Sequence, residues 1–318
     1  MYKIITGEAL SALQSLESNS VNCCITSPPY YGLRDYGANG QIGLEETPSE
    51  YIEKLVTVFR EVRRVLKKDG TLWLNMGDSY AGSGKGAAAY PDNARKYKQG
   101  TNKGMLGAAA TAKIKSPEYK RKDLMGIPWR LAFALQADGW YLRQDIIWYK
   151  PNCMPESVKD RCTKSHEYMF LLSKSEKYYF DYEAIKEPAV TDDRTLPRGS
   201  KGTKTPNSGR RKQDALKLRR YEGFNERYFS KESPIKRNKR DVWSVSTHGY
   251  KEAHFATFPE KLIEPCVLAG CPIGGIVIDP FLGSGTTAVV AEKNKRSCIG
   301  IEINPIYSDM STRRLEDI

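Results

Sequence analysis

The sequence predicts an α/β protein on a doubly wound, mostly parallel sheet. Three observations carry this. Short apolar runs alternate with helix-period segments almost from the first residue. The run GGIVIDP at 274–280 leads directly into a glycine-rich turn and then a helix. The chain has 318 residues, 40% of them hydrophobic, which suffices for one large α/β domain or two smaller ones.

Residues 2–26 read as strand, helix, strand. Ile4 and Ile5 open the first strand, Leu10, Leu13 and Leu16 share one helical face, and 21–25 forms the second strand. Residues 50–68 give the clearest amphipathic helix, with Tyr51, Leu55, Val58, Phe59, Val62, Val65 and Leu66 at a 3.6-residue period and Gly70 just past its end. TLWLNMG at 71–77 follows as a buried strand. From 79 to 120 the pattern gives way to Gly, Ala, Lys and Asn, the composition of a long loop that need not be ordered alone. Gly82–Gly86 looks superficially like a phosphate loop, but Ser79 stands where that motif opens on Gly, and Gly86 where it needs Ser or Thr.

Residues 123–138 read as a helix stopped by Gly139, and 141–151 as a strand halted by Pro151. HEYMFLLSKSEKYYFD at 166–181 has the form of a hairpin. Residues 182–245 show little periodicity. A helix over 258–271 opens at Pro259, and the strand 274–280, a helix through about Lys293 and a strand over 297–303 follow. The domain reading is 1–181 and 246–318 as two halves of one domain, with 182–245 set between them.

The net charge is +12, and it is concentrated. Residues 82–122 carry net +8 and 186–240 carry net +10, which leaves the remainder at net −6. An acidic scaffold with two basic insertions points to a polyanion such as nucleic acid. Seven cysteines without a Cys-x-x-Cys pair, beside three histidines, argue against a zinc site or a disulfide framework. No apolar run approaches a membrane span and the N-terminal stretch lacks a signal pattern, so a cytoplasmic location is expected.

Gly283-x-Gly285-x-x-Ala288 joins a strand to a helix, and Glu302 ends the next strand. Small residues let a ligand lie against the backbone there, and an acid at the neighbouring strand end can accept both hydroxyls of a ribose. A nicotinamide dehydrogenase would also need a proton-transfer group such as Ser/Tyr/Lys, and none is legible.

TSPPYYG at 26–32 and HFATFPEKLIEPCVLAGCPIGGIVIDPFLGSGTT at 254–287 together resemble the S-adenosylmethionine-dependent DNA amino-methyltransferases, and the order of the two elements resembles the beta group. The resemblance covers about 1–80, 123–181 and 241–310. It implies a Rossmann-like methyltransferase fold with circularly permuted motif order and a basic target-recognition insert. It implies S-adenosyl-L-methionine as cofactor and double-stranded DNA as partner, in a bacterial or phage-encoded, nucleoid-associated enzyme. A homodimer and a cognate restriction endonuclease are left open.

By the same resemblance Ser27, Pro28, Pro29 and Tyr30 form the catalytic corner. Asp279, Phe281, Gly283, Gly285 and Thr286 line the cofactor pocket, and Glu302 holds the ribose. Thr257, Phe258 and Pro259 contact the methionine end, and Glu8 faces the adenine. The family's usual His-Pro is His254-Phe255 here, a departure that weakens any role carried over to His254 and favours reading it as a structural residue.

The residue types suit the chemistry. An amine whose lone pair is delocalised into a base needs alignment and acceptors, not an enzyme nucleophile. Two prolines give a stiff turn offering carbonyls without competing donors, and an adjacent ring can stack on an extruded base. Pro265-Cys266 lies before the glycine turn, whereas enzymes that methylate cytosine C5 through a thiolate place their Pro-Cys after it. N4 of cytosine and N6 of adenine remain, and Ser27 at the first position resembles the cytosine enzymes. An RNA or protein methyltransferase and a non-catalytic DNA-binding module are the other classes. The clusters Arg210-Arg211-Lys212, Arg219-Arg220 and 236–240 are the expected phosphate-gripping elements of target recognition.

Overall fold

The computed structural model describes residues 1–32, 38, 40–81, 118–120, 122–188, 236–247 and 258–318. They fall into two units, one made of Met1–Asp181 with Arg240–Ile318, the other of Tyr182–Lys239.

The larger unit carries an eight-stranded sheet. Its strands in chain order are β1 (Tyr2–Thr6), β2 (Val21–Thr26), β3 (Leu66–Met76), β4 (Tyr141–Tyr149), β5 (His166–Ser173), then β8 (Val242–Ser244), β9 (Ile276–Asp279) and β10 (Ser297–Glu302). Strands β6 (Glu187–Pro188) and β7 (Lys236–Arg237) pair antiparallel in the smaller unit, joined there by the Arg237–Glu187 ion pair. The large sheet runs in the order β1-β10-β9-β2-β3-β5-β4-β8. The first five strands of that order are mutually parallel, and β5 is antiparallel to both β3 and β4.

The helices are α1 (Ala9–Gln14), α2 (Pro48–Val65), α3 (Ile127–Ala137), α4 (Glu260–Gly270), α5 (Thr286–Lys293) and α6 (Pro305–Glu316). Helix α2 starts where Thr47 and Glu50 form a reciprocal capping box and Pro48 takes the first turn. Its buried face, Tyr51, Leu55, Val58, Phe59, Val62 and Val65, packs with Leu13 of α1, Leu131 of α3 and the sheet residues Cys24, Leu72, Leu74, Ile278 and Ile301. The opposite sheet face buries Cys23, Ile25, Trp73 and Val277 together with Leu262, Ile263, Cys266 and Val267 of α4. Helices therefore cover both faces of the central parallel strands, whose sequences are accordingly near-continuous apolar runs.

Most expected elements form within a few residues of their predicted bounds. The hairpin over 166–181 does not. Only His166–Ser173 is a strand, and it pairs with β3 and β4. The aromatic run beyond it is held by single contacts: Tyr179 N–H donates to Asp69 O, Asp181 N–H to Ala269 O, and Phe180 stacks on Trp73. Helix α6, which the sequence reading did not anticipate, is started by Asn304, whose side chain accepts from Ile306 N–H, and by Pro305. Strand β8 lies within 182–245 by sequence but belongs to the large sheet, parallel to β4.

Five cysteines, Cys23, Cys24, Cys266, Cys271 and Cys298, are buried, while Cys153 is half-buried and Cys162 exposed. Burial pushes the Cys23, Cys24 and Cys298 thiols well above their ordinary range and Cys271 up to about 12. Cys266 sits in α4 beside Pro265, with its thiol against Leu262 O. No described helix is long and apolar enough to cross a membrane.

Candidate active site

Strands β2 and β9 are parallel neighbours, with Cys24 opposite Ile278. Their carboxyl ends therefore emerge side by side, and each carries one of the two motifs read from the sequence. A crevice at the carboxyl edge of such a sheet is the ordinary place for a ligand. The two ends are tied together by fully buried Thr26, whose hydroxyl donates to Asp279 Oδ1 at 2.6 Å.

Asp279 is the hub of the turn that follows β9. Its Oδ1 also accepts from Phe281 N–H at 3.0 Å and its Oδ2 from the Thr287 hydroxyl at 2.6 Å. Complete burial lifts its pKa to about 6, against the pull of those three donors. All of these partners belong to the protein, so the side chain shapes the turn from beneath. Phe281 is half-buried above it.

The turn itself is set by Gly283 and Gly285, at φ +56° and +84°. A Cβ at Gly283 would meet nothing within 4 Å, so the backbone there borders open space. A Cβ at Gly285 would lie 2.6 Å from Ser311 Cβ and 3.0 Å from its Cα, because α6 packs directly on the loop. Arg314, also from α6, donates to Ser284 O at 2.6 Å and to the Thr286 hydroxyl at 3.3 Å. Thr286 is buried at the start of α5.

Glu302 closes β10 next door. Its Oε2 accepts from Gly283 N–H at 2.8 Å and its Oε1 from Asn304 N–H at 2.9 Å. Burial raises its pKa, while those backbone donors pull it back. Each oxygen retains lone-pair capacity for a further donor. Glu8 lies two residues past β1, the next strand over, where its carboxylate caps α1 by accepting from Leu10 and Ser11 N–H at 2.9 and 2.8 Å. Phe258 is half-buried, and buried Pro259 caps α4. Thr257, His254, the Gly82–Gly86 run, the loop 82–117 and the clusters at 210–220 lie outside the described residues.

At the neighbouring strand end, Ser27 to Tyr30 leave β2. Pro28 is buried and Ser27, Pro29 and Tyr30 are half-buried. The Tyr51 hydroxyl of α2 donates to Pro29 O at 2.7 Å. That contact braces the corner, which also carries the Ser27 and Pro28 carbonyls. The Tyr30 hydroxyl donates to Glu167 Oε2 at 2.7 Å. Burial and the carboxylate push its pKa well above 10, so it stays a neutral phenol.

Three polar residues at this corner were not read from the sequence: Asn75 on β3, Lys150 just past β4 and Glu167 on β5. Asn75 donates to Tyr168 O at 3.0 Å and to Glu167 Oε2 at 3.4 Å, and Lys150 ion-pairs with Glu167 Oε1. Asp78 accepts from Ser79, Gly126 and Ile127 N–H and so ties the end of β3 to the start of α3.

A family profile described as DNA methylase matches residues 21–313. The Type II methyltransferase M.SmaI of Serratia marcescens is 48% identical over 314 residues, which cover 98% of this chain and 90% of that protein. The Type II methyltransferase M.Cfr9I of Citrobacter freundii is 46% identical, with 98% and 87% covered. Among solved structures, the PvuII DNA methyltransferase (cytosine-N4-specific) superposes with a TM-score of 0.62 at 19% identity, covering 98% of this chain and 87% of that one. The M1.HpyAVI–SAM complex gives a TM-score of 0.54 at 15% identity, covering 99% of this chain and 99% of that one.

Proposed function

Because the chain belongs to the N6/N4 DNA methylase family, whose members are amino-methyltransferases, we propose that it methylates the exocyclic N4 amine of a cytosine drawn out of duplex DNA. The observation that carries this reading is the adjacency of the two corners, with Ser27–Tyr30 on β2 and the Gly283–Gly285 turn on neighbouring β9. A reacting pair must be held at near-contact for alignment to be worth roughly 7–11 kcal/mol, and one crevice between neighbouring strand ends can hold both.

The residues present fit S-adenosyl-L-methionine. Gly283 leaves its backbone open to a ligand, and Glu302 lies beside it with acceptor capacity for ribose hydroxyls. Asp279, Phe281, Gly285 and Thr286 shape that wall, and Phe258 and Pro259, with Thr257, are assigned to the methionine end. Bound there, the cofactor supplies an electrophilic methyl on sulfonium sulfur.

The chain's own part is positioning. Tyr30 offers a face on which the extruded base stacks, worth about 1–3 kcal/mol. The Pro28 carbonyl and Ser27 hydroxyl accept from the amine, which localises the nitrogen lone pair toward the methyl carbon. As the nitrogen–carbon bond forms and the carbon–sulfur bond breaks, the methylated amine is left with a surplus proton that neither a carbonyl nor a hydroxyl can keep, so these acceptors orient the N–H bonds and the proton passes on to solvent. Burial holds the thiols at 23, 24, 271 and 298 protonated, so none of these four is available as a thiolate nucleophile.

Ser27 supports cytosine over adenine, since the N4 enzymes resembled here carry Ser at that position. N6 of adenine is the second reading, because both bases place the amine beside an unprotonated ring nitrogen. The Type II names of the relatives support a place beside a restriction endonuclease. Basic segments 82–122 and 186–240 support duplex DNA as the partner, with affinity falling steeply as salt rises. Mass spectrometry of nucleosides from plasmid treated with the protein and cofactor tests the base. N4-methylcytosine is expected, and N6-methyladenine alone overturns the choice.

A further inference from the structure

The Tyr30 ring is fixed from two sides by groups no motif reading assigns. On one side its hydroxyl donates to Glu167 Oε2 at 2.7 Å and lies 3.3 Å from Asn75 Oδ1. On the other, the ring lies against Gly77, where a Cβ would come within 2.7 Å of Tyr30 Cε2 and 3.2 Å of Glu167 Cδ. Glu167 is itself held. Its second oxygen pairs with Lys150, whose ammonium lies 4.1 Å from the centroid of the Trp148 ring. The side chains of Lys150 and Glu167 are 18% and 17% exposed, so the pair is largely withdrawn from water. Such a pair does little for stability, because the desolvation cost offsets the attraction. It does define a geometry, since a charge with two directional partners has one good position.

The strand order explains how the group assembles. The antiparallel registers place Trp148 opposite Glu167 and Met76 opposite Tyr168, so β5 brings Glu167 between the ends of β3 and β4. Gly77 then follows β3 where the ring must pass.

We propose that Glu167, set by Lys150, is a positioning residue for methyl transfer, acting through the Tyr30 hydroxyl to hold the ring at the angle the extruded base requires. This rests on the reading of Tyr30 as the stacking face. A misplacement of about 1 Å at a reacting centre costs on the order of 100-fold, so loosening the ring is felt in turnover and not in cofactor binding.

A double-mutant cycle on the full chain tests it, with plasmid DNA and tritiated S-adenosylmethionine. Glu167→Ala and Tyr30→Phe should each lower kcat on the order of 10- to 100-fold, with KM for the cofactor within about twofold of the parent. Glu167→Gln, which keeps an acceptor for the hydroxyl, should recover part of the loss. The double variant should be no slower than the slower single one, because both break the same contact. Gly77→Ala, whose methyl crowds both the Tyr30 ring and the Glu167 carboxyl, should slow turnover as well. The proposal is overturned if the Glu167 and Tyr30 losses multiply, which would mean that Glu167 acts on the base itself. Parent-like kcat for Glu167→Ala also overturns it. So does a loss of turnover that tracks lost cofactor binding and lost folded protein. Tyr30→Ala separates the levels. Undiminished methylation by that variant removes the stacking reading itself, whereas a dead Tyr30→Ala beside a fully active Glu167→Ala removes only the role of Glu167.

Discussion

The two walls of the proposed site, called the cofactor wall and the target wall after the roles proposed for them, are built by different means. The cofactor wall is made of backbone. Glycines at 283 and 285, a peptide N–H from Gly283 and a buried carboxylate at Asp279 do the shaping, and α6 presses on the loop from behind. The target wall is made of side chains gathered from β2, β3, β4 and β5, with a charged pair behind a single ring. A wall of backbone tolerates few changes of any residue in it. A wall of side chains can be retuned one contact at a time, which suits the side that must match a particular base.

Substitutions can break or sharpen that contrast. The largest effect belongs to Gly285→Val. The φ of +84° and the 2.6 Å approach to Ser311 leave no place for a side chain, and cofactor affinity measured by calorimetry should fall more than 100-fold, about 3 kcal/mol or more. Retained affinity would show that the backbone wall yields after all.

Next is Asp279. Its folded pKa stands raised from 3.8 to about 6, so the folded chain holds this proton more tightly than the unfolded one. For this group stability is greatest below about pH 4, falls as pH climbs to about 6 and is level above, a difference on the order of 3 kcal/mol. Urea titrations across that range should show the fall in the parent relative to Asp279→Asn. Identical slopes would mean that the buried acid ionises as freely as in water.

On the target wall, Tyr30→Ala removes the ring as well as its hydroxyl contact, so kcat should fall by more than in Tyr30→Phe, on the order of 100-fold or more, and cofactor affinity should stay unchanged. A parallel fall in cofactor affinity would merge the two walls into one unit. The smallest effect is expected at Asp78→Ala. Loss of the cap on α3 should lower unfolding free energy by about 1 kcal/mol in the same titrations.

The same contrast explains what the sequence made legible. The cofactor wall is local: DPFLGSGTT spans one turn, and Glu302 follows at a fixed interval because one helix and one strand intervene. Ser27–Tyr30 is equally contiguous. Glu167 gave no such sign. It is one acid at the head of an apolar run, beside His166, and only the antiparallel register of β5 carries it to Tyr30. Asn75 was a polar residue inside an otherwise apolar strand, which is a usable hint, since a buried amide must find partners. Lys150 stood next to the Pro151 that ended the predicted strand and was read as part of a boundary. The expected hairpin over 166–181 failed because β5 found two non-local partners, so its own downstream segment was not needed as a third. Helix α6 was missed although Asn304-Pro305 is a start signal, because its apolar stripe is sparse.

The buried cysteines make the molecule its own stopwatch. Cys23, Cys24 and Cys298 lie on central strands and Cys266 and Cys271 against them, while Cys162 is open to solvent. A thiol reagent added to the native chain will colour the outer sites at once and then wait on the sheet. The pace of that second phase counts how often the middle of the protein comes apart, and bound cofactor should slow it.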